Sequence, residues 1–191
     1  MLDTSIESSK ILNDLIRSAS RAKIHYEVWW AQESEAKPDL ATVMKEHSEF
    51  FLASADAHYT ALLINLAHLY DKRPDSSSLF TFLNESVNSI ESNYLILLRE
   101  EYDALAIRAA PLITVRHKTV AHIDAKLSQQ AVFASLDTIR NNQVREIVYD
   151  TAVYVAKLAG TNDLGSIGIA RDRRLIECTL KLIHALQKNS A

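Results

Sequence analysis

Apolar positions recur at helical spacing from the start of the chain. Ile11, Leu12, Leu15, Ile16, Ala19, Ala22 and Tyr26 follow a period near 3.6 and predict a first helix over about residues 5–35, with Trp29 and Trp30 near its end. Lys37-Pro38-Asp39 reads as a break, because the residue before proline avoids the α region. Phe51, Ala55, Tyr59, Leu62, Leu63, Leu66 and Leu69 then mark a second long helix over about 39–72, stopped by Arg73-Pro74-Asp75. Ser76-Ser77-Ser78 offers an N-cap to a short helix carrying Leu79, Phe80, Phe82 and Leu83. After a joint at 89–92, a fourth helix is expected over about 93–122, with a kink or restart at Pro111. Residues 124–138 read as a loop with a helical turn. A further helix over about 138–159 is closed by Gly160 as its C′ residue. The loop 161–168 leads into a final amphipathic helix over about 170–187, with Leu175, Leu182 and Leu186 on one face. The sum is all-α: an up-and-down bundle of about five to seven helices with two long antiparallel helices at the start. Helices that long expose more surface than one core of this size covers, which points to a partner chain.

Composition sharpens this picture. The 191 residues suit one domain, with a segment rich in ionisable groups at 112–124 and C-terminal helices over 138–188. All three glycines, Gly160, Gly165 and Gly168, fall in one short window. Turn-rich sheet folds and Gly-loop nucleotide sites therefore lose their support. The single Cys178 excludes an internal disulfide framework, and its setting, IECTLKLI, reads as a small buried thiol. The first residues lack the apolar core of a signal peptide, and no apolar run reaches spanning length. The expected location is cytoplasmic, away from membranes. The net charge of −3 gives no strong nucleic-acid signal, but past residue 150 six cations face three anions. The cluster Arg171-Asp172-Arg173-Arg174 suits either phosphate contact or a solvated helix start.

Seven histidines raise the question of a metal. His47 and His58 lie about three turns apart on one predicted face, yet neither has the Glu-x-x-His partner of di-iron bundles. No metal and no cofactor is expected. Trp29 and Trp30 read as a core or dimer contact. The segment richest in chemistry runs from Leu112 to Asp124. It joins Arg116, His117, Lys118, His122 and Asp124 at the end of an apolar helix. Arginine binds phosphate and histidine exchanges protons near neutral pH, so this set suits phosphodiester cleavage without a metal. On an ideal helix Arg116 and His122 lie about 120° apart, whereas Lys118 and His122 share a face. A structural reading stands beside it. Arg116 would pair with acids such as Glu100 or Glu101 or their dimer mates, and His122 would cap the helix end.

Arg116, a polar His117, and His122 after a gap of five residues resemble the signature of the HEPN superfamily. The fuller pattern Arg-polar-Lys-x-x-Ala-His, followed closely by Asp124, resembles its abortive-infection branch, the AbiU-like group. The upstream run Leu66-Ala67-His68-Leu69-Tyr70-Asp71-Lys72 resembles that group as well. The resemblance implies a helical bundle that dimerises so that two signatures form one groove. It also implies metal-independent endoribonuclease activity in toxin or phage-defence systems, leaving 2′,3′-cyclic phosphate ends. Carried over, Arg116 and His122 are catalytic, and His117, Lys118 and Asp124 bind substrate. Asp124 stands where a toxin branch carries a Tyr that is a modification target. The implied partners are a second copy of the chain, an RNA substrate and a separately encoded antitoxin or regulator. A non-catalytic module of the same fold, binding RNA, a nucleotide or a protein, is the alternative.

Overall fold

A computed structural model describes residues 6–116, 141–169 and 173–189. Seven α-helices lie among them, and no strand. α1 (Ile6–Trp30) continues into a π-turn, Ala31–Glu35, marked by the bond from the Ala36 N–H to the Ala31 carbonyl. α2 (Lys37–Glu46) follows at once. Pro38 sits in its first turn, where a missing N–H costs nothing, so the expected break is a helix start instead. The expected second helix is two helices. His47, at φ −113° and ψ 37°, separates α2 from α3 (Ser48–Leu69).

α4 (Leu79–Glu85) is capped as predicted, with Ser78 Oγ accepting from the Thr81 N–H at 3.2 Å. α5 (Ser92–Arg116) runs through Pro111 without the expected restart. Pro111 is exposed, and so is Ile107, whose carbonyl it leaves without a helical donor, so the lost bond falls on the solvent side of the helix. α6 (Asn141–Leu158) ends in a Schellman arrangement. The Gly160 and Thr161 N–H groups return to the Lys157 and Ala156 carbonyls, with Gly160 at φ 75°. A 3-10 turn (Leu164–Ile167) then leads towards α7 (Arg174–Asn189).

α1 and α3 are antiparallel: His25 meets His58, and Gln32, in the π-turn beyond α1, meets Ser54. α6 packs on α1 and α5, and together these helices bury the main core. It holds Leu15, Tyr26, Leu62, Leu66, Phe82, Leu98, Leu112, Tyr154 and Val155. Trp29 and Trp30 pack at its edge beside Tyr26. A smaller core joins α2 and α7 through Leu40, Val43, Phe51 and Ile183. The buried face of α7 is centred on Ile176 and Ile183; of the predicted Leu175–Leu182–Leu186 face, Leu186 packs half-buried on this core and Leu175 is half-buried, but Leu182 is exposed. Cys178 is exposed as well, not buried. Among the described residues, no helix is long and apolar enough to cross a membrane.

Candidate functional site

α5 carries Arg116 in its last turn, with the side chain half-buried. The same helix end and the end of α3 form the walls of an open cleft of about 1050 Å³. Arg116 lines it together with His68, Asp71, Lys72, Arg73 and Asp103. His117, Lys118, His122 and Asp124, expected to complete the site, lie outside the described residues, as does the loop predicted over 124–138.

The wall opposite α5 is built by the turn after α3. Tyr70 anchors it from below. Its hydroxyl meets Thr151 Oγ1 of α6 at 2.6 Å, and its ring stacks on Tyr102 of α5. Burial pushes the Tyr70 hydroxyl far above its ordinary pKa, so it stays protonated and can donate. Asp71 then turns back on the chain. Its carboxylate accepts from the Arg73 backbone N–H at 3.0 Å, and from Arg73 Nε and Nη2 at 2.9 and 2.8 Å. The Arg73 guanidinium holds the Asp71 carboxyl below the usual range. The Arg73 carbonyl accepts from Ser76 Oγ at 2.7 Å, which closes the turn. The result is a cation fixed at its base and largely exposed at its tip.

A second cleft, of about 440 Å³, adjoins the first and shares His68, Asp71 and Arg73 with it. Arg17 and Arg21 of α1 lie on its far side, with Arg17 beside Asp14 at 3.5 Å. Cations from three separate parts of the chain therefore line these two adjoining clefts.

Sequence reasoning placed Arg116 but did not foresee Arg73 and Asp103 as its neighbours, or that the quoted His68, Asp71 and Lys72 face it across a cleft. The available signal was the charged run Asp71-Lys72-Arg73 directly after an apolar helix. Glu101, a proposed partner for Arg116, instead holds Lys157 of α6. In the basic C-terminal cluster, Arg173 is bound by Glu35 at 2.6 Å and its N–H by Glu27 at 3.2 Å, so it secures a helix start. Arg171 and Asp172 lie outside the described residues. Among the described residues, no group of three or more His, Cys, Asp or Glu side chains is gathered for a metal.

The AbiU2 family model, an HEPN family, matches residues 7–187. No curated protein matches the chain. No solved structure matches it either.

Proposed function

The chain belongs to the AbiU2 family of HEPN proteins, and from that membership we propose that it is a metal-independent endoribonuclease acting in toxin or phage defence. The observation that carries this reading is the position of Arg116: it lines an open cleft with Lys72, Arg73 and His68 rather than lying in the core. An RNA backbone needs cations that are exposed and held in place. Arg73 meets that need through Asp71.

In the proposed reaction the 2′-hydroxyl attacks the adjacent phosphorus and the 5′-oxygen leaves. His122 transfers the proton. Arg116 stabilises the charge that grows on the phosphoryl oxygens. His117 and Lys118 contact the phosphate, and Asp124 orients an imidazole. The products are a 2′,3′-cyclic phosphate and a 5′-hydroxyl. The active form is a homodimer in which two signatures share one groove, under the control of a separately encoded antitoxin or regulator.

The test is incubation of the chain with RNA in excess chelator, beside Arg116→Ala and His122→Ala. Cleavage by the wild type, with cyclic phosphate ends, and loss in both variants are expected. Equal cleavage by all three refutes the assignment. Binding without any turnover identifies the alternative, a non-catalytic RNA-binding module.

A further inference from the structure

His25 of α1 and His58 of α3 meet across the antiparallel helix pair with their Nδ1 atoms 2.9 Å apart. The rings are tilted by 47° with centroids 5.1 Å apart, and both are only half-buried, so solvent reaches them. Adjacent contacts lock the helices in register here. Trp29 packs on Tyr59 at 5.1 Å, and Gln32 Nε2 donates to Ser54 Oγ at 3.1 Å. The two rings share a hydrogen bond, and the packing of two long helices on either side of it keeps them in place.

The geometry points to a chelating site for a divalent late first-row metal ion, of the copper(II) or nickel(II) class, at His25 and His58. Two nitrogens about 2.0–2.1 Å from one ion lie about 2.9 Å apart when they subtend about 90° at it, and about 3.4 Å apart at the tetrahedral angle. The observed separation matches the right-angled edge of a tetragonal ion, the preference of copper(II) and nickel(II) with nitrogen ligands. Burial holds both imidazoles below their ordinary pKa, in the neutral form that ligates metals. The ion would replace the hydrogen bond between the rings: the donating ring's Nδ1 proton moves to Nε2, and both Nδ1 lone pairs turn to the ion. Water fills the remaining positions. Arg21, one turn before His25, lowers the His25 pKa further by its charge, and it opposes a cation in the same way.

Neither histidine lines the Arg116 cleft or the cleft beside it, and the inference does not rest on the ribonuclease reading. Its test is titration of the tag-free full chain with copper(II), followed by tryptophan fluorescence, since Trp29 lies one turn from His25. Quenching that saturates at one ion per chain is expected. His25→Ala and His58→Ala should each weaken it roughly tenfold or more, and His184→Ala should not change it. Arg21→Ala should tighten it roughly twofold to threefold. Absence of saturable quenching, or quenching retained in both histidine variants, overturns the site. Paramagnetic resonance of the copper-loaded wild type needs no variant: coupling to two imidazole nitrogens supports the assignment, and coupling to one or none overturns it.

Discussion

Two polar clusters in this molecule are built from similar groups to opposite ends. At Glu27 the carboxylate is fully buried and fully occupied. It accepts from buried Lys23, from the Tyr149 hydroxyl at 2.8 Å and from the backbone N–H groups of Arg173 and Leu175 at 3.2 and 2.9 Å. Lys23 also lies 4.7 Å over the Tyr149 ring. This cluster joins α1 to α6 and supplies the N-terminal cap of α7 from a helix about 150 positions upstream. At Asp71–Arg73 the same kind of pair stands at the surface, beside Arg116 and an open cleft. A buried charge is retained only if every hydrogen-bonding position is filled, so it serves the fold. An exposed charge contributes little to stability and keeps donors for a ligand.

The largest expected effect lies on the buried side. Lys23→Ala leaves the Glu27 carboxylate without its counter-charge and should cost about 3–5 kcal/mol in urea unfolding. A cost below about 1 kcal/mol would break the comparison. Tyr149→Phe removes one donor from the same carboxylate and should cost about 1.5–3 kcal/mol, measured the same way. If its effect equals that of Lys23→Ala, the charge is not what matters there.

The pH dependence of unfolding separates other regions. His25 and His58 have folded pKa values below the ordinary 6.5. The unfolded chain therefore takes up their protons first, and stability should fall as pH drops below that value. His58→Gln should flatten this slope. The Asp71 carboxyl is also depressed, which gives a contribution present above the ordinary 3.8 and lost as pH falls through the lower folded value. Its partner Arg73 being exposed, it should yield a much smaller decline, confined to the acid side, and Asp71→Asn should abolish it. Arg73→Ala should lower stability by no more than about 1 kcal/mol in urea while weakening RNA binding and its salt dependence, read by fluorescence anisotropy. A larger loss of stability with intact RNA binding would reverse the roles assigned to the two clusters.

The long helices were legible because α1, α3 and α5 each bury one stripe at regular spacing. The Ser78 cap and the Gly160 terminus were legible because their chemistry is local. The division at His47 was not, since neither proline nor glycine marks it and the apolar pattern continues on both sides. Along α7, apolar residues form two adjacent stripes; packing against α2 selected Ile183, and Ile176 is buried on the same helix. That choice is tertiary and invisible in periodicity. It also turns Cys178 outward. For the same reason His58 was paired in sequence with His47 on its own predicted helix, whereas its contact is His25 on α1. At the site, Arg116 stood out through its local signature, but Arg73 reaches the cleft from a turn more than forty residues upstream.

The division of labour is tested most directly by measuring unfolding and RNA cleavage on the one variant Arg116→Ala. Stability within about 1 kcal/mol of the wild type is predicted, the range for a cation in a last helical turn. Cleavage of RNA in chelator should fall about a hundredfold or more. Unchanged cleavage, or a loss no greater than the fraction unfolded, would contradict the account.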